Sequence, residues 1–89
     1  MLMQNYPNPM SKETKIRFQM PEMGHVKLCI YNISGQLVKT LADGCMNPGA
    51  HALSWDGKDE SGKPVGAGVY LYRIEAGASR QVKRLTVIK

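Results

Sequence analysis

Short stretches of strictly alternating apolar and polar residues, each closed by a Gly or Pro turn, constrain this chain more than any other feature. Over residues 14–20, Ile16, Phe18 and Met20 fall on one side and Lys15, Arg17 and Gln19 on the other. A period of two sends successive side chains to opposite faces of an extended backbone, so such a stretch predicts a strand with one face buried. The pattern recurs over residues 25–31 with Val26, Leu28 and Ile30 inward, and over 50–55 with Leu53 and Trp55 inward. It returns over 69–76, where Tyr70, Tyr72 and Ile74 share a face, and over 81–88, where Leu85 and Val87 do. Residues 36–41 supply a further strand, and no stretch keeps a helical spacing for longer than a turn.

The breaks between these stretches carry turn chemistry. Pro21-Glu22-Met23-Gly24 separates the first two strands, and Asn32-Ile33-Ser34-Gly35 is a short polar connection that predicts a hairpin between the second and third. Asp43-Gly44 and Asn47-Pro48-Gly49 read as turns that end the third strand, and Gly77-Ala78-Ser79 joins the last two as a hairpin. A polar loop over residues 56–68 holds Gly57, Gly62, Gly66 and Gly68. The result is an all-β chain, an antiparallel β-sandwich of about seven strands, with Ile16, Phe18, Val26, Leu28, Ile30, Leu53, Trp55 and Ile74 in one core. Residues 14–89 form this single domain. Residues 1–13 form an extended leading segment, because Pro7 and Pro9 lack an N–H and push Tyr6 and Asn8 toward extended conformations. Tyr6 is its expected apolar anchor.

At 89 residues there is room for one core and no second domain. A hydrophobic content of 43% with nine glycines and five prolines suits a folded, turn-rich β-domain rather than a disordered tail. The first residues have neither a basic stretch nor an apolar run, so they do not make a secretory signal peptide. An exported form would take that signal from elsewhere in a longer parent chain. No segment approaches the roughly 20 apolar residues that cross a bilayer, so no transmembrane helix is expected. The net charge of +5 is concentrated near the end, where Arg73, Arg80, Lys83, Arg84 and Lys89 face only Glu75. Such charges attract anionic surfaces. Here they alternate with apolar residues, as on a solvated strand face, and no nucleic-acid motif accompanies them, so no nucleic-acid partner is expected. The two cysteines, Cys29 and Cys45, are expected as free thiols, because small secreted folds that depend on disulfides carry more.

Three clusters invite chemistry. Asp56, Asp59 and Glu60 in a Gly-rich loop suggest calcium, but Lys58 interrupts the ligand spacing and no glutamate closes the loop; turns in which Asp56 and Asp59 accept backbone amides fit better. No metal or other cofactor is expected. His25 and His51 lie in different strands with no nucleophile at motif spacing, so no catalysis is expected. Trp55 with Tyr31, Tyr70 and Tyr72 offers an aromatic platform for a sugar ring, but the alternation turns Trp55 inward beside Leu53.

Asn5-Tyr6-Pro7-Asn8-Pro9, Ile16-Arg17-Phe18, Ser34-Gly35, Trp55-Asp56-Gly57-Lys58-Asp59, Pro64-Val65 and Gly68-Val69-Tyr70-Leu71-Tyr72-Arg73 stand in a fixed order, ahead of the basic-apolar run over residues 83–89. Across essentially the whole chain this order resembles the type A C-terminal sorting domain of the Bacteroidota type IX secretion system, whose members share an Ig-like module with the flagellar hook-capping protein. The departure lies at Met10-Ser11-Lys12-Glu13, where family members commonly carry Phe and a second Asn-Pro.

The resemblance implies an Ig-like or fibronectin III-like sandwich that follows an N-terminal cargo domain in the parent chain. It implies recognition by an outer-membrane secretion translocon, removal by a sortase-like protease, and a secreted or cell-surface destination reached through the periplasm. On this reading the terminal strand presents Lys83, Arg84 and Lys89, beside Leu85, Val87 and Ile88, to the partner by edge pairing. Two other classes compete: an accessory module that attaches a secreted glycanase to carbohydrate or to the cell, which exposed aromatics would favour, and an inert Ig-like spacer.

Overall fold

The alternating stretches form six antiparallel strands in the structure, a computed structural model that describes residues 2–88. They are β1 (Thr14–Met20), β2 (Gly24–Asn32), β3 (Leu37–Met46), β4 (Gly49–Trp55), β5 (Gly68–Ala76) and β6 (Ser79–Val87). One sheet holds β1 and β4; the other has the order β3-β2-β5-β6. Both sheets are antiparallel throughout, and the described residues contain no helix. The two inner faces pack together as a β-sandwich.

Burial follows the period of two. In β1 every second residue from Thr14 to Met20 is buried and the residues between are exposed. Register then matches inward positions across the ladder, Ile16 opposite Leu53 and Tyr72 opposite Ile30. Ile16, Phe18, Val26, Leu28, Ile30, Trp55 and Ile74 are fully buried, as expected, whereas Leu53 is half-buried at the margin of the core. Tyr72, Leu85 and Val87 complete the inner face of the larger sheet.

The third strand departs from expectation. It runs through Asp43-Gly44 to Met46, so that pair forms no turn, and the reversal is left to Asn47 and Pro48. The reason is tertiary: the first half of β2 takes β3 as its ladder partner on one side, with Lys27 opposite Asp43 and Val26 opposite Gly44. Long-range pairing outweighs the local turn preference of an Asp-Gly pair. Two register shifts, between Leu28 and Cys29 and between Ile30 and Tyr31, absorb the extra residues of β3. The same register keeps the cysteines apart. Cys29 pairs with Thr40, and Cys45 pairs with His25, four positions along β2. That offset corresponds to about 13 Å, well beyond the ~7 Å between Cα atoms that a disulfide tolerates; both thiols are free, Cys29 buried and Cys45 exposed.

Residues 2–10 touch both sheets. Leu2 bridges Phe18 and Tyr6 bridges Lys15 on the outer edge of β1, and Met10 then bridges Val87 in parallel on β6. Between the first two bridges the register slips by one residue, which exchanges the faces. Leu2, opposite an inward residue, is therefore buried, while Tyr6, opposite an outward one, is 71% exposed. The anchors of this segment are Leu2, Asn5 and Met10, not Tyr6.

Candidate partner-binding surface

The basic-apolar terminal strand splits by face. Leu85 and Val87 point into the core, so their side chains stabilise the sandwich and are not offered to a partner. Lys83 is half-buried, Arg84 and Ile88 are exposed, and Lys89 lies outside the described residues. Arg80 is exposed on the same strand, and Arg73 on β5 donates from Nη2 to the Tyr31 hydroxyl at 2.7 Å with its guanidinium 4.8 Å from the ring centre. The basic surface that remains is thus Arg80, Lys83 and Arg84, with Arg73 stacked on its neighbour.

The backbone edge of β6 is also largely occupied from within. The Thr86 carbonyl accepts from Met10 N at 2.9 Å, and Ile88 N donates to the Met10 carbonyl at 2.8 Å. Thr86 N donates to Asn8 Oδ1 at 3.0 Å, and Gln4 Nε2 donates to the Arg84 carbonyl at 2.7 Å. The second half of this edge therefore carries no free ladder for an incoming strand. Its bare part is the first half, around Arg80 and Val82.

These contacts explain the Asn-Tyr-Pro-Asn-Pro run physically. Asn5 is only 3% exposed, yet its polar groups are satisfied: Nδ2 donates to Thr14 Oγ1 at 2.9 Å and to the Pro7 carbonyl at 3.2 Å, and Oδ1 accepts from Gln4 Nε2 at 2.7 Å. Its backbone N donates to the Tyr72 hydroxyl at 2.8 Å, and that hydroxyl donates to the Met3 carbonyl at 2.9 Å. Burial raises the Tyr72 phenol above the ordinary tyrosine value, against the opposing pull of the Asn5 N–H. Pro7 and Pro9 bring no N–H that would need a partner as the segment crosses from one sheet to the other. Sequence reasoning found the motif but missed Asn5, Met10 and Tyr72 as its working parts. Only Asn5 carried a local sign, as a hydrogen-bonding residue at the head of the Asn-Tyr-Pro-Asn-Pro run.

The other candidate chemistries separate in the same way. Trp55 and Tyr72 are fully buried, and Trp55 donates from Nε1 to the Lys58 carbonyl at 2.9 Å while meeting the Tyr70 ring edge-on at 5.8 Å. No sugar platform forms from that set. Asp56 Oδ1 accepts from Lys58 N at 3.1 Å, and Asp59 Oδ1 accepts from Ser61 N, Ser61 Oγ and Lys63 N at 3.0, 2.7 and 3.0 Å. The Ser61 hydroxyl and the Lys63 amide hold the Asp59 carboxyl below the usual aspartate value. These are the backbone-bonded turns expected from the sequence. Gly57 sits between them at φ 73°, where a Cβ would also lie 3.4 Å from Met10 Cε. Among the described residues, no three His, Cys, Asp or Glu side chains cluster as a metal site. His25 is engaged with Asp43 at 2.7 Å, and His51 with the Asn47 carbonyl at 2.7 Å.

The family described as FlgD Ig-like domain matches residues 8–80. Among solved structures, dimeric latent PorU from Porphyromonas gingivalis superposes with a TM-score of 0.79 at 22% identity, covering 98% of this chain and 9% of that one. PorZ, an essential surface component of the type IX secretion system of the same organism, gives 0.70 at 19% identity, covering 97% of this chain and 11% of PorZ. FlgD from Pseudomonas aeruginosa gives 0.64 at 22% identity, covering 89% of this chain and 67% of that one. The chain therefore spans about a tenth of PorU and of PorZ. Among the curated proteins, none matches the sequence. With its two antiparallel sheets and a family match over most of its length, this chain belongs to the FlgD Ig-like domain family.

Proposed function

We propose that this domain is a non-catalytic sorting signal of the type IX secretion system, borne at the C-terminal end of a larger secreted protein and recognised at the outer membrane. The observation that carries the reading is the extent of the likeness. PorU and PorZ superpose over 98% and 97% of the chain with TM-scores of 0.79 and 0.70, against 89% and 0.64 for FlgD from Pseudomonas aeruginosa, while the FlgD family match runs over residues 8–80. The parts beyond the family match are the start of the Asn-Pro segment and most of β6, and these meet where Gln4 Nε2 donates to the Arg84 carbonyl and Leu2 N donates to Gln81 Oε1. In both proteins the matched region is a small fraction of a long chain, as an appended signal would be. Export would deliver cargo to the surface or the medium, with a translocon and a sortase-like protease as partners.

Recognition on this reading falls to Arg80, Lys83 and Arg84, because Leu85 and Val87 belong to the core. The test fuses the domain behind a signal peptide and a reporter in a host with a type IX system. Surface or extracellular reporter is expected from the intact fusion, and periplasmic retention from an R80Q/K83Q/R84Q variant whose melting temperature matches the parent. An intact fusion that stays periplasmic while an established sorting domain is exported would refute the proposal. The attachment-module reading would then stand ahead of it.

A further inference from the structure

Three of the four sheet edges are covered in part, and that of β4 is bare along its whole length among the described residues. On the outer edge of β1, Met3 N donates to the Arg17 carbonyl, and Tyr6 and Lys15 exchange both backbone bonds. On β6, residues 4–10 occupy Arg84, Thr86 and Ile88, and the remainder is guarded by Arg80, Lys83 and Arg84. On β3, Glu60 N donates to the Val38 carbonyl and Glu60 Oε2 accepts from Thr40 N, and two register shifts kink the strand. Unpaired edges promote strand addition, and charges, bulges and covering segments are the usual protections. β4, Gly-Ala-His-Ala-Leu-Ser-Trp, has none: no charged residue, no proline and an unbroken register with β1.

The direction of its free groups follows from the neighbouring ladder. Lys15 and Arg17 spend their backbone groups on the leading segment, so Thr14, Ile16, Phe18 and Met20 turn theirs toward β4. Their partners Trp55, Leu53, His51 and Gly49 turn inward, which leaves the N–H and C=O of Ala50, Ala52 and Ser54 facing outward along the edge. No backbone partner other than β1 meets β4 among the described residues. Ala50, Ala52 and Ser54 are small and exposed, and Gln19, Arg17 and Lys15 stand opposite them on the same outer face. On the inner face, His51 and Leu53 are only half-buried.

We propose that the β4 edge is a docking site for an extended segment of another protein, added as a further strand, whose residues alternate apolar and acidic. Its apolar residues would cover His51 and Leu53. Its acidic residues would lie beside the alanines, two strand spacings or about 9.6 Å from β1, a gap that Lys15 or Arg17 closes together with a glutamate. The same charges argue against a second copy as occupant: two-fold pairing of β4 with itself would set both Lys15 and Arg17 rows on one continuous face, between chains that each carry +5. This site is separate from the basic residues of β6 and does not depend on the export reading.

The test titrates the 89-residue chain with a short blocked peptide alternating Val and Glu, and with a Val and Lys control, followed by amide NMR and hydrogen exchange. The Val and Glu peptide should shift and protect the amides of Ala50, Ala52 and Ser54, and the control should bind at least about tenfold more weakly, the equivalent of one charge-assisted contact. Ala52→Pro removes a donor that faces away from β1, so the fold should survive while binding falls by about tenfold or more. Should that variant misfold, the K15E/R17E variant, altered only at exposed positions, serves instead and should prefer the Val and Lys peptide. The proposal is overturned if protection appears at Arg80 and Val82 instead, if charge reversal leaves the preference unchanged, or if sedimentation shows the free chain dimerising through β4.

Discussion

Replacing Tyr72 by Phe removes a single oxygen, and the structure says what that oxygen holds. It accepts from Asn5 N at 2.8 Å and donates to the Met3 carbonyl at 2.9 Å, fastening the leading segment to β5 across 67 and 69 residues of sequence. Asn5 is 3% exposed, so its amide would be left buried and unpaired, at a cost of about 1–3 kcal/mol. Met3 is 42% exposed, so water can reach its carbonyl and that half of the loss is smaller. The ring itself stays buried and keeps its packing. The expected destabilisation is therefore about 1.5–3 kcal/mol, against a total of roughly 5–13 kcal/mol for a domain of this size. At about 4–8 °C per kcal/mol, Tm should fall by roughly 6–24 °C. Urea and thermal melts measure the stability, and hydrogen exchange reads the Asn5 amide directly. A variant within about 0.5 kcal/mol of the parent, with the Asn5 amide still protected, would refute the claim that this hydroxyl secures the segment.

The same phenol sets an alkaline limit. Because burial raises its folded-state pKa above the unfolded value of about 10, its contribution is full below that pH and is lost as pH rises through the folded value. Stability should fall less steeply above pH ~10 in Tyr72→Phe than in the parent, with a residual slope from Tyr31, which burial and the neighbouring Cys29 also raise. Trp55→Ala should cost about 3–5 kcal/mol, since the side chain is fully buried and donates to Lys58; an unchanged melt would mean an exposed indole. Under native conditions a thiol reagent should modify Cys45 rapidly and Cys29 only on unfolding, as mass spectrometry of the labelled chain would reveal; equal rates would contradict the register that buries Cys29.

Much of the fold was legible because its information is local. A period of two assigns faces within a strand without reference to any partner, so Ile16, Phe18, Val26, Leu28 and Ile30 could be placed inward from the sequence. The hairpin at residues 32–35 and the backbone-bonded turns at Asp56 and Asp59 were equally local, since their atoms lie within a few residues of one another. The alternation even placed Leu85 and Val87 on one face of β6, and that inward face keeps them from a partner.

What the sequence left open depends on which strands become neighbours. β3 passes through Asp43-Gly44 because β2 offers it ladder bonds there, a fact no local window contains. Met10 is buried because it reaches β6, and Tyr6 is exposed because one slipped residue exchanges the faces of its segment. The bare edge at β4 and the covered second half of the β6 edge follow from sheet order and from residues 2–10, which lie far from β6 in the chain. Local conformation is decided by each residue's own backbone and side chain; an edge exists only once every other strand has taken its place.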